Sequence, residues 1–167
     1  MVGTKNSGIK ELIDRKLDGG DINDTTLING VALAIKVIHM NEKIYKLQCW
    51  IVDLDKDLER FIKFYPSYLA GTHGAILLAN LGDMNSLTAL EEWISLIRQT
   101  CKIIPIMLIV NRPKVDQERQ ISEQDGIRFA QEHELGDYME IDNHNGLTTN
   151  MFEKITRLIL GQYKRYQ

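Results

Sequence analysis

Two unbroken apolar runs constrain this chain more than any other feature. "HGAILLANL" (73–81) and "IIPIMLIV" (103–110) show no polar alternation, so each predicts a strand buried on both faces of a sheet. Between them, "SLTALEEWISLIRQTC" (86–101) puts Leu87, Leu90, Trp93, Ile94 and Ile97 on one helical face, with Ser86 as the expected N-cap. Strand, helix, strand in that order implies a parallel pair with its connection packed against one face.

The same alternation continues on both sides. "VALAIKVIHM" (31–40) and "KIYKLQCWIVDL" (43–54) read as two strands joined at Asn41-Glu42, an antiparallel hairpin. "GIKELIDRKLD" (8–18) and "LERFIKFYPSYLAG" (58–71) have helical spacing, the second interrupted at Pro66. "SEQDGIRFAQEHEL" (122–135) begins a helix at Ser122 with an acidic first turn. "DYMEI" (137–141) is a short strand, and "TTNMFEKITRLILGQYKRY" (148–166) a last helix with Met151, Phe152, Ile155, Leu158 and Ile159 inward. The expected architecture is α/β in three layers: a mostly parallel central sheet with one antiparallel strand, covered on both faces, in one domain over residues 1–167.

Composition narrows the partners. A net charge of -3 gives no electrostatic reason to bind nucleic acid or an anionic membrane. No apolar run approaches the roughly 20 residues of a membrane helix, and "QYKRYQ" at the C-terminus has no cysteine to prenylate. A cytoplasmic protein without a direct membrane anchor is expected. Cys49 and Cys101 sit in apolar runs without metal-ligand spacing and read as reduced core thiols.

In a sheet of this kind ligands bind in the loops at the carboxyl ends of the strands. Here the order of "KLQCW" and "ERF", "YLAGTHGAILLANL", "SLTALEEWISLIRQ", "IPIMLIVN", "ERQIS" and "MFEKITRLIL" resembles the Ras-like small GTPases, most nearly the Rab-type branch, over about residues 28–162. The resemblance implies a P-loop small-GTPase fold with six strands and five helices. It also implies GTP or GDP with magnesium, held by five loops.

Each loop departs from the family pattern. "GTKNSGIK" keeps Gly3 and Gly8 at the phosphate-loop spacing around Ser7, but Ile9 takes the place of the phosphate-neutralising lysine and Lys10 that of the magnesium-binding hydroxyl. An ammonium has no lone pair for a metal, although a slip of one residue would let Lys10 serve the phosphate. In the first switch Ile28 stands where the family has threonine, with Thr25 and Thr26 nearby; in the second, "WIVDLDKDLERF" lacks the glycine, and Leu58 stands at the water-positioning glutamine. Asp53, Asp55 and Asp57 are either solvated or a divalent-ion site, so the metal stays open. In the base loop, Asn111 and Arg112 follow the family, but Lys114 occupies the place of the guanine-reading carboxylate; the last loop reads Asp142-Asn143-His144.

Three readings follow. One is a non-hydrolysing protein-interaction or regulatory module without a cofactor, binding a protein partner at the switch-like surface, about residues 28–68. Another is a divergent GTPase that binds GTP or GDP weakly through Gly3, Gly8, Lys10 and Asn111, and a third is an anion binder without base preference. Only Met1-Val2 precede Gly3, so the first central strand is expected to be missing or truncated, with a homodimer or a rearranged sheet completing the slot.

Overall fold

The structure, a computed structural model, describes residues 1–4, 6–9, 12, 31–53, 69–101, 103–114, 116–142 and 148–165. Within them six strands form one sheet: β1 (Val2–Gly3), β2 (Val31–Met40), β3 (Lys43–Asp53), β4 (Ala75–Asn80), β5 (Ile106–Arg112) and β6 (Asp137–Asp142). Four helices accompany them: α1 (Met84–Thr88), α2 (Leu90–Thr100), α3 (Glu123–Glu132) and α4 (Thr148–Arg165). The strand order is β2-β3-β1-β4-β5-β6, antiparallel between β2 and β3 and parallel elsewhere. This is the α/β architecture expected of the sequence. The helices expected over 8–18 and 58–71 lie almost wholly outside the described residues.

The two apolar runs are explained by the period of a strand. In β4, Leu77 and Ala79 join one core cluster with Leu90, Trp93, Ile94 and Ile97 of α2, while Ile76 and Leu78 join a second with Met151, Phe152 and Ile155 of α4. In β5, Leu108 and Val110 face the first cluster and Met107 and Ile109 the second. Each face of the sheet therefore has its own core, and each large aliphatic side chain buried this way contributes about 1.5–3 kcal/mol. Among the described residues, no helix is long and apolar enough to cross a membrane.

The central slot holds a short strand, as the truncated alternative expects, and the sheet around it is not rearranged. The chain's own Val2 and Gly3 lie between β3 and β4, in register with Val52 and Asp53 on one side and Leu77 and Leu78 on the other. The Met1 carbonyl accepts from the Val52 N–H at 2.8 Å, and the Thr4 N–H donates to the Leu78 carbonyl at 3.1 Å. At this level the first strand is present, short, and supplied by the chain itself. These few ladder bonds join β3 to β4 at Val52–Asp53 and Leu77–Leu78.

Two helix starts test the capping expectations. Ser122 caps α3 in a reciprocal capping box with Asp125, as its position implies. Ser86 does not cap a helix. Asp83 does, three residues earlier, while Ser86 is buried with its hydroxyl 2.6 Å from the Asp83 carbonyl and 2.8 Å from the Asn80 N–H. Its hydroxyl ties the end of β4 to the new helix instead. The hairpin turn falls at Asn41-Glu42, with φ of 51° and 62°. Both cysteines are free and half-buried, and burial raises both thiols above their ordinary range, which keeps them protonated and unreactive.

Candidate functional site

The carboxyl ends of β1, β4, β5 and β6 lie side by side, and the loops leaving them form the candidate site. In the first loop a Cβ on Gly3 would stand 2.6 Å from Ser7 Oγ and 2.7 Å from Ile9 Cβ, so only glycine allows the loop to fold back on itself. The reversal passes through left-handed backbone at Asn6 (φ 56°) and Gly8 (φ 74°). It is fastened by Ser7 N–H to the Thr4 carbonyl at 3.0 Å and by the Thr4 hydroxyl to the Leu78 carbonyl at 3.2 Å. Leu12 N–H then donates to the Gly8 carbonyl at 2.9 Å, the first helical bond beyond the loop.

Ile9 is only 3% exposed and packs in the cluster containing Ala32, Ile51 and Met151. The position that the resemblance gives to a phosphate-neutralising lysine therefore holds a core side chain without charge. Lys10, beside it, lies outside the described residues, as do Asn143 and His144 of the last loop and the candidate metal ligands Asp55 and Asp57. Thr25, Thr26, Ile28 and Leu58 lie outside them too.

Asn111, at the end of β5, is fully buried and donates from Nδ2 to the Ser7 carbonyl at 2.6 Å, across 104 residues of sequence. This bond joins the base-loop strand to the glycine loop. Two polar atoms beside it, Asn111 Oδ1 and Ser7 Oγ, are buried with no hydrogen-bond partner. Buried polar atoms are ordinarily satisfied by protein, water or ligand, so this junction can still receive a donor and an acceptor. Arg112 is half-buried and stands opposite Asp142 in the β5–β6 register. Lys114 is exposed, and its backbone carbonyl accepts from the Gln117 N–H. Among the described residues no group of three or more His, Cys, Asp or Glu side chains is placed to hold a metal.

A polar lattice that sequence reasoning missed supports the base loop. Asn80 Oδ1 accepts from Gly82 N–H at 3.0 Å and from Gln117 Nε2 at 2.6 Å. Arg119 forms two 2.8 Å bonds to the Glu140 carboxylate, which also accepts from the Tyr138 hydroxyl at 2.8 Å. Arg119 holds the Glu140 carboxyl below its usual range, while burial, followed by Glu140, pushes the Tyr138 phenol well above its own. Nothing in a single sequence pairs Arg119 with a glutamate 21 residues away; only the return of β6 beside β5 does.

A sequence model of the Ras family matches residues 1–161 of this chain. The chain is 30% identical over 125 residues to the Ras-related protein Rab-11B of Dictyostelium discoideum, covering 74% of this chain and 54% of that protein. It is 29% identical over 136 residues to human Ras-related protein Rab-4A, covering 81% of this chain and 61% of that one, and 27% identical over 136 residues to human Rab-4B, covering 81% and 62%. The chain thus spans little more than half the length of the curated relatives it matches.

Proposed function

The chain belongs to the Ras family, in its Rab-type branch, and from that premise we propose that it acts as a protein-interaction or regulatory module that does not hydrolyse GTP. The observation that carries this reading is the burial of Ile9 in the core, where a phosphate would need a cation. Lys114 supports it, since an exposed ammonium offers only donors where guanine also offers donors. The partner is a protein, docking on the outer face of β2 and β3. Leu33 (37% exposed), Ile35 (42%), Ile44 (64%) and Trp50 (37%) line that face, and Leu33 stands directly opposite Trp50 in the ladder. Phe61, Phe64, Tyr65 and Tyr68, the other aromatic candidates for this surface, lie outside the described residues.

A second reading has its own support. The left-handed Asn6 and Gly8, the Asn111–Ser7 bond and the two unpartnered buried atoms beside it are compatible with a weak GTP or GDP switch. Calorimetric titration with GTP, GDP and ATP, with and without magnesium, separates the two. The interaction-module reading expects no heat of binding at millimolar nucleotide. Micromolar, magnesium-dependent GTP binding would replace it with the switch, and equal binding of all three would indicate an anion site without base preference.

A further inference from the structure

We propose that the outer edge of β2 pairs with the same edge of a second copy of this chain, antiparallel about a two-fold axis at Ile35. β2 ends the sheet order, so among the described residues one of its two edges has no strand beside it. Which groups that edge presents follows from β3. Val52 N–H donates to the Met1 carbonyl and the Trp50 carbonyl accepts from Met1, so even-numbered residues of β3 point their main-chain groups toward β1. Their ladder partners in β2 are Val31, Leu33, Ile35, Val37 and His39. In an antiparallel pair such partners turn N–H and carbonyl away from each other, so these five residues face outward with a donor and an acceptor each. The pairing uses the rim of the sheet and leaves Ile44 and Trp50, exposed on the outer face, open for the docking of a protein partner.

The two rims of the sheet differ in what they do to an approaching strand. β6, at the other end, carries Asp137, Glu140 and Asp142, and full-length antiparallel pairing with a second β6 would set Asp137 against Asp142. β2 has no such guard. Its ten residues contain no proline or glycine, and its register with β3 runs through every residue without a bulge. Its one lysine, Lys36, is drawn to the inner face, 5.9 Å from the centre of the Phe152 ring. A long, flat, apolar edge of this kind recruits another strand. β2 fits a copy of itself. With Ile35 opposite Ile35 of the second copy, Leu33 meets Val37, Val31 meets His39 and Lys36 meets Ala34, so no like charges oppose. All five outward residues are then paired, through about ten hydrogen bonds. An axis at Lys36 would set two lysines face to face, and one at Ala34 would leave His39 beyond the end of the second strand. A slip of one residue would oppose groups that β3 already uses.

The test uses the whole chain in sedimentation and amide hydrogen exchange. A strand-edge interface is small, so a monomer–dimer equilibrium is expected at about 100 µM. Raising the concentration should slow exchange at Leu33, Ile35 and Val37, while Ala34 and Lys36, bonded to β3, exchange alike throughout. Ile35→Pro, which removes an outward N–H that β3 does not use, should weaken the dimer about tenfold. Ile35→Lys and Ile35→Glu, each repelling its own copy, should each be monomeric. An equal mixture of the two should dimerise again, which variants that merely misfold would not do. Ile44→Ser, on the outer face but off the edge, should leave the dimer unchanged. A native chain that stays monomeric at millimolar concentration would overturn the proposal, as would failure of the mixture to dimerise. Loss of the dimer in Ile44→Ser would overturn it in favour of face-to-face association. Leu33, Ile35 and Val37 amides protected at every dilution would overturn it in favour of cover by the chain itself.

Discussion

The side-chain amide of Asn111 and the backbone carbonyl of Ser7, 104 residues apart, meet at 2.6 Å and tie the end of β5 to the glycine loop after β1. The bond is buried, so losing it leaves the Ser7 carbonyl without that donor. Asn111→Ala should destabilise the fold by about 1–3 kcal/mol, read from urea denaturation midpoints. A variant as stable as the native chain would mean that the two loops are held together by something else.

Ile9 separates a core position from a phosphate position. Ile9→Lys places an ammonium where the native side chain is 3% exposed, so it should lower stability by more than about 2 kcal/mol without producing tight GTP binding. Ile9→Val should cost only about 0.5–1.5 kcal/mol. If Ile9→Lys were neutral and bound GTP in calorimetry, the lysine would be reaching the loop and the interaction-module reading would fail.

The hairpin turn holds a removable strain. Glu42 adopts φ 62°, which disfavours any residue with a Cβ, whereas glycine adopts it freely. Glu42→Gly should raise stability by roughly 0.5–1 kcal/mol and shift the melting temperature upward. A lower melting temperature would show that the Glu42 side chain makes a compensating contact.

Glu140 gives the fold a pH signature. Its carboxyl is held low by Arg119, so its contribution is present above the unfolded carboxylate value of about 4.3 and lost as pH falls through the lower folded value. The stability gap between the native chain and Glu140→Gln should therefore be full at pH 6 and narrow below about pH 4. A gap independent of pH in chemical denaturation would show that packing of Glu140, not its charge, matters.

How much of this was legible in the sequence follows from the range of each signal. The runs over 73–81 and 103–110 identified β4 and β5 because double burial erases alternation, and "SEQD" marked the start of α3 because its capping box is local. Ser86 misled because Asp83, an equally good cap, stands three residues before it. The central position of Val2–Gly3 could not be read from two residues; it is set by Val52 and Leu77 on either side. In the candidate site, the loop spacing of Gly3 and Gly8 and the framework position of Asn111 were visible. The lattice of Asn80, Gln117, Arg119 and Glu140 was not, because its members meet only through strand order.

The double burial of β4 and β5 also bears on how the molecule opens. Leu77 and Leu108 belong to one core and their chain neighbours Leu78 and Ile109 to the other. Neither core can be uncovered while the strands it shares with the other stay in place, so the amides of β4 and β5 should exchange with solvent only when both faces open together.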